Sequence, residues 1–301
     1  MRGRALSWRG WSAFAALGFI WGLPYFFIKL SLADVSPAVV AFSRVLLSTL
    51  ILLPIAWQRG ALRSLRGHLG PICAFSLAEF VIPFSAISIG ERWISSSVAG
   101  ILIAMVPLSI ALIQRFFGLH ERLGLCRSVG LATGFVGVAA LIGFGSISGV
   151  TGWAGVACML LATLGYAIGP LIIQRYLAGL DPFGPLALSL LIATGVLILP
   201  AALAVPTHMP SVLVLASLTF LGVVCTAVAM LLMFYLVGHA GASRAAVITY
   251  INPAVAALLG VLLLRERLGA GGIIAFVLIL LGSWLATRGK THAAAALQTI
   301  A

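Results

Sequence analysis

Charge is what this chain has least of. Of its 301 residues, 8% are Asp, Glu, Lys or Arg and 62% are hydrophobic, and the mean hydropathy is +1.20. A soluble domain carries about 25% charged residues, so a water-facing surface cannot be covered and a polytopic membrane protein is expected. Acidic residues number six, and four of them (Asp34, Glu91, Glu121, Glu266) are spread singly among loops. That spread argues against an enzyme acting on lipid-linked substrates, which needs its acids, bases or metal ligands gathered near the interface. The four cysteines (Cys73, Cys126, Cys158, Cys225) include no close pair and are read as small buried apolar residues. The five histidines have no ligand spacing, and there is no Gly-rich phosphate loop, Gly-x-Ser-x-Gly elbow or His-Glu-x-x-His. No metal or cofactor is expected.

The net charge of +12 could point to nucleic acid. The basic residues, however, come one to three at a time between apolar runs, which is the spacing that membrane orientation requires. A hydrocarbon core about 30 Å thick takes about 20 apolar residues of helix. Ten runs qualify, near 11–32, 37–57, 69–90, 95–117, 124–145, 152–177, 183–204, 211–236, 243–264 and 269–287. The first run is too long for a signal-peptide core, so an uncleaved span is expected. The Ala-rich tail, 288–301, is expected to be a disordered cytoplasmic segment. With the N-terminus inside, thirteen of the eighteen basic residues lie on the cytoplasmic side. Lys29, Arg92, Arg265 and Arg267 lie outside and Arg44 lies within a span. Both termini are therefore expected in the cytoplasm of a cell (plasma) membrane protein.

The chain also meets itself again 146 residues on. Pro24 falls on Pro170, Pro54 on Pro200, Pro107 on Pro253, Lys29 on Arg175 and Ser97 on Ser243. One residue of adjustment brings Glu121-Arg122-Leu123-Gly124 onto Glu266-Arg267-Leu268-Gly269, and Gly137 onto Gly282. Two repeats follow, 11–145 and 152–287, each of five helices. An odd number of helices turns the second copy over, so the expected fold is all-α, ten transmembrane helices in two inverted five-helix repeats.

Five prolines fall near mid-span: Pro24, Pro83, Pro107, Pro170 and Pro253. Each removes one backbone donor and frees the carbonyl four residues earlier. In lipid such groups need a neighbour or a wet cavity, and the five are read as hinges around a central space. Any one of them could instead be a kink that helps packing. Small-residue pairs such as Gly18 and Gly22 suit close helix contact but mark no particular one.

Comparing the repeats sorts the polar groups. Glu121 and Glu266 occur in both, just before a helix start, where a carboxylate meets the positive end of the helix dipole. They are read as structural. Arg44 and Glu79 occur in one repeat only, facing Leu190 and Cys225 in the other. A charge at mid-bilayer is costly, and the two lie at similar depths, so both are expected to face the interior. They could form a fixed ion pair gluing two helices, or Glu79 could recognise a substrate amine or take up a proton. Trp21 and Tyr25, four residues apart, are expected on one helix face with Gly18 and Gly22. Tyr166 and Tyr235 also lie deep. Thr249, Tyr250 and Asn252 beside Pro253 form the best cavity-lining group of the second half. Core packing is the plain alternative for each of these aromatics.

Trp21-Gly22, Phe42-x-Arg44, Glu79 with Ile82-Pro83-Phe84, Pro107, Glu121-Arg122-Leu123, Asn252-Pro253 and Glu266-Arg267-Leu268, in this order, resemble the EamA family of the drug/metabolite transporter superfamily. The resemblance covers roughly 12–287. It implies a ten-helix carrier exporting small metabolites, amino acids or drugs by alternating access through a central cavity. It also implies Trp21, Tyr25, Glu79, Met105, Tyr166, Thr226 and Asn252 as lining residues. Ala167-Ile168 opposite Trp21-Gly22, and the lack of an arginine opposite Arg44, imply that the halves contribute unequally. The expected partners are a small-molecule substrate, the lipid bilayer and protons, with no nucleic acid, in a monomer or homodimer. A facilitative uniporter or importer of the same fold is the alternative. An ion channel would want a filter or charge ring repeated by oligomer symmetry, and none is visible.

Overall fold

The computed structural model describes residues 8–116, 125–141, 149–177, 179–240 and 251–287, and these residues contain helices and no strand. In chain order the helices are α1 (Trp8–Ile20), α2 (Pro24–Ser31), α3 (Pro37–Gln58), α4 (Leu69–Ser76), α5 (Ile82–Gly90), α6 (Ser96–Ile103) and α7 (Val106–Phe116). They continue as α8 (Leu125–Leu141), α9 (Gly149–Ile172), α10 (Phe183–Ala202), α11 (Val212–Gly222), α12 (Ala229–Ala240), α13 (Ile251–Leu262) and α14 (Ala270–Thr287). Apolar composition fills them, and the few polar residues punctuate them. Ser36, Ser95 and Ser211 accept the N–H of Val39, Val98 and Val214 and so cap α3, α6 and α11.

Among the described residues, six helical stretches are long and apolar enough to cross a membrane: Ser12–Ser31, Pro37–Gln58, Arg63–Gly90, Gly149–Leu177, Phe183–Ala202 and Val212–Met233. The described parts of the other four expected runs are shorter apolar helices, Ser96–Ile110, Ser128–Leu141, Ile251–Leu262 and Ala270–Leu285. The first run is not one helix. It breaks over Trp21–Leu23, and Pro24 opens α2 at a position where its missing N–H costs nothing. Pro83 and Pro107 likewise sit in the first turns of α5 and α7, whereas Pro170 lies inside α9. Pro54 and Pro200 are accommodated inside α3 and α10.

Helices matched by the internal repeat lie side by side. The start of α3 meets the end of α10 through Ser36 Oγ on the Ala204 carbonyl (3.2 Å). Midway, Thr49 and Thr194 share a hydrogen bond of 3.0 Å, and beyond the end of α3 the Ala61 carbonyl presses on Gly184 at the start of α10. These two helices therefore run antiparallel. So do α6 and α13, where Gly100 faces Ala256 while Ser97 faces Gly260. So do α8 and α14, where Gly137 faces Ile279 while Gly282 faces Gly130 and Gly134. One further contact also exchanges under the repeat: α5 packs on α9, and α12 on α1.

The Glu266 carboxylate accepts the N–H of Ser96 (2.7 Å), the N–H of Ser97 (2.9 Å) and the Ser97 hydroxyl (2.6 Å). It caps α6, far away in sequence, rather than the neighbouring α14. The dipole argument identified the kind of group that Glu266 meets and missed which helix supplies it. Ser97, matched to Ser243 in the repeat, was the available signal. Glu121 to Gly124, Ser243, Thr249 and Tyr250 lie outside the described residues, as does the tail 288–301.

At Gly282 a Cβ would lie 2.5 Å from the Gly134 nitrogen and 2.6 Å from the Gly130 oxygen, so backbone would have to move. Gly282→Val is expected to lower the thermal midpoint in detergent, at about 1–3 kcal/mol for overpacking. Gly195→Ala, where a Cβ meets nothing within 4 Å, is expected to leave the midpoint unchanged or slightly raised. Glu266→Ala strands three donors, and about 1–3 kcal/mol of destabilisation is expected in the same assay.

Candidate functional site

Two matched places in the fold depart from α-helical geometry. A π-turn spans Leu77–Val81 between α4 and α5, and another spans Val223–Val228 between α11 and α12. Moved 146 residues forward, Leu77 is Val223. The wide turns are made by bonds reaching five residues back, from Ile82 N–H to the Leu77 carbonyl and from Ala229 N–H to the Val224 carbonyl. Such turns shift the side-chain register of a helix and often occur at functional sites. The first holds Glu79, and the second holds Cys225 and Thr226.

Arg44 reaches from α3 into the second π-turn and is 5% exposed. Its Nε donates to Thr226 Oγ1 at 2.7 Å and its Nη2 to the Cys225 carbonyl at 3.5 Å. The guanidinium carbon lies 3.7 Å over the centre of the Phe84 ring, a cation–π contact. Thr226 is itself fixed by donating to the Leu221 carbonyl at 3.0 Å. Arg44 thus joins α3, α5 and the second half of the chain. It makes no ion pair with Glu79 within 4.0 Å; the ion pair among the described residues is Arg59 with Asp181. The interior placement of Arg44 is as expected, but its partners are a hydroxyl, a carbonyl and a ring.

Glu79 projects against Gly169 of α9, and any Cβ at that position would overlap its carboxylate. Its Oε2 is buried and has no hydrogen-bond partner. Tyr166, on the same helix as Gly169, lies within electrostatic reach of both Glu79 and Arg44. Tyr166 also packs between the two larger apolar clusters of the core. One small region therefore holds a carboxylate and a phenol.

A second group of expected lining residues lies nearby. Tyr25 is buried and within electrostatic reach of Tyr166 and Arg44. Its ring approaches Gly100 of α6, beside Pro253, and Gly22 packs against Asn252 and Val255 of α13. Asn252 and Met105 are buried, with Met105 inside the largest apolar cluster. Trp21 does not share a face with Tyr25. The helix breaks between them, and the half-buried Trp21 packs with Leu17, Ala229 and Leu236 in a separate cluster. Phe84, Gly169 and the Cys225 carbonyl were missed in the sequence. Only Pro83 hinted at the first π-turn, and no proline stands at the matching Ala229.

Thr226→Val removes the acceptor for a buried guanidinium N–H. About 1.5–3 kcal/mol of destabilisation is expected, as for hydrogen bonds to charged groups, whereas Thr226→Ser should behave as wild type. Thermal unfolding of the two purified variants checks this.

The EamA-like transporter family profile matches this chain twice, over residues 8–143 and 153–288. The chain is 29% identical over 292 residues to the uncharacterized inner membrane transporter YedA of Escherichia coli (strain K12), covering 91% of each protein. It is 25% identical over 291 residues to an uncharacterized transporter of Archaeoglobus fulgidus, covering 93% of this chain and 99% of that one. A solved crystal structure superposes with a TM-score of 0.64 at 19% identity, covering 95% of this chain and 99% of the other, which supports the fold alone. These relatives point to transport rather than to enzymatic chemistry. With both halves matched, the chain is a multi-pass membrane protein that belongs to the EamA-like transporter family.

Proposed function

We propose that this protein is a secondary carrier that exports small metabolites, amino acids or drugs by alternating access. In this reading ten helices form two inverted repeats, 11–145 and 152–287, in the cell membrane with both termini cytoplasmic. Support for inversion comes from the antiparallel packing of α3 on α10 and of α8 on α14, two pairs of helices matched by the repeat, and from that of α6 on α13, which belong to the corresponding fourth and ninth apolar runs. Copies in one orientation would place matched helices parallel. The basic-residue count supports the orientation. The inner-membrane location in the name of the Escherichia coli relative agrees with it.

The observation that carries the functional reading is the Glu79 carboxylate. Its Oε2 is buried against Gly169 of α9 without a hydrogen-bond donor, at a π-turn matched in the other half. An unpaired acid in an apolar interior is expensive and is retained for a function. Glu79 binds either a cationic group of the substrate or a proton. Arg44 holds the second π-turn in place, and Tyr25, Tyr166, Thr226 and Asn252 supply polar groups between the halves. Met105 and Trp21 contribute apolar surface. Tyr250 belongs to this group by its position beside Asn252. Pro24, Pro83, Pro107, Pro170 and Pro253 serve as the bending points, and protons are the coupling ion where Glu79 takes up a proton rather than a substrate cation.

Counterflow into proteoliposomes, screened over amino acids and cationic drugs with and without a pH gradient, tests the reading. Saturable counterflow of one of these classes is expected. Glu79→Gln is expected to cut the rate at least tenfold and to flatten its pH dependence. Unchanged transport in that variant removes Glu79 from the site, and unitary current steps in a bilayer recording would replace the carrier with a channel.

A further inference from the structure

Glu91 follows the last residue of α5, at the opposite end of the span from Arg63. Its position promised an isolated loop acid, yet its exposure is 0%. Neither carboxylate oxygen has a hydrogen-bond partner. Lys29 of α2 is close, but its Nζ donates to backbone instead, to the Glu91 carbonyl at 2.5 Å and the Ile94 carbonyl at 2.9 Å. The ammonium is thus occupied as a cap on the C-terminal end of α5, where a cation meets the negative end of the helix dipole.

The groups around Glu91 come from every side. Lys29 and Tyr25 face it from α2, and Arg92 follows it in the chain. Across from Gly90, α9 presents Cys158 and Met159. Glu266 lies within electrostatic reach on the N-terminus of α6, and Arg44 lies farther off on α3. The two acids differ sharply: Glu266 has three donors, while Glu91 has none. A dry carboxylate without donors sheds its charge by binding a proton. A metal ion would need several oxygen ligands and would face the Lys29 ammonium. A cleft of about 280 Å³ lined by Lys29, Leu32, Ala33, Glu91 and Arg92 opens beside the buried group.

We propose that Glu91 is a proton-binding site distinct from Glu79, neutral in this packing and ionised when water enters through the cleft. On ionisation the carboxyl O–H bond breaks and the proton leaves on a cleft water as hydronium. The charge left behind is met by Lys29, whose ammonium turns from the Glu91 and Ile94 carbonyls to the carboxylate. Nothing is oxidised or reduced. The site does not depend on the role given to Glu79, since the two acids lie at different levels of one span.

Infrared pH-difference spectra of the full chain in lipid vesicles test this, using wild type, Glu91→Gln, Glu91→Asp and Glu79→Gln. At neutral pH the wild type is expected to show a protonated-carboxyl band that bleaches as pH rises. Glu91→Gln should lose one carboxyl's intensity from that band. Glu79→Gln should keep that component, and Glu91→Asp should keep it at a shifted frequency. Because the amide imitates the neutral acid, Glu91→Gln should also melt at or above the wild-type temperature at alkaline pH. Identical titrations of Glu91→Gln and wild type overturn the proposal. So does stabilisation by sodium at constant ionic strength that Glu91→Gln abolishes, which assigns the site to a metal cation. Neither result touches the Glu79 counterflow test.

Discussion

Buried polar groups with few side chains to satisfy them are the constraint on which this structure depends. Hydroxyls are often spent locally: Ser31, Ser88 and Ser217 donate to carbonyls four residues back in their own helices. Less then remains to join one helix to another. Several joins use backbone as one partner, as where Ser76 donates to the Ser189 carbonyl and Ser283 to the Ala104 carbonyl. Elsewhere, close approach over glycine substitutes for hydrogen bonds, because dispersion between tightly packed helices is what lipid leaves available.

Against that economy, some long polar side chains reach backbone across the fold. Arg44, Glu266 and Lys29 each bind the backbone of a distant segment, Arg44 at Cys225, Glu266 at Ser96 and Ser97, and Lys29 at Glu91 and Ile94. All three act on places where helical hydrogen bonding is incomplete: a π-turn, an N-terminus and a C-terminus. Charge in this protein is thus used chiefly to complete backbone. Glu79 and Glu91 stand apart because they complete nothing.

Much of this was legible in the sequence. Membrane character followed from composition, and the repeat followed from three prolines at one offset. The interior placement of Arg44 followed from the cost of its charge. Other features were hidden for identifiable reasons. The π-turns carry no residue signature in the second half, where Ala229 stands opposite Pro83. The partner of Glu266 lies 170 positions away, and local dipole reasoning naturally chose the adjacent helix. Trp21 and Tyr25 look like neighbours at helical spacing until Pro24 is allowed to begin a new helix rather than bend an old one. Glu91 looked like a loop acid because the apolar run ends at Gly90, and burial of a span end cannot be read from the run itself.

The capping of α6 by Glu266 has a bearing on descent. A polypeptide of half this length would carry the carboxylate but would find the matching helix terminus only on another molecule. It would also present its small-residue faces to lipid unless a second molecule lay against them upside down. An ancestral single-repeat protein of this kind would have depended on copies inserted in both directions. Two such units joined in one chain are free to differ, and an arginine in one half opposite a leucine in the other is the sort of difference that identical subunits could never acquire.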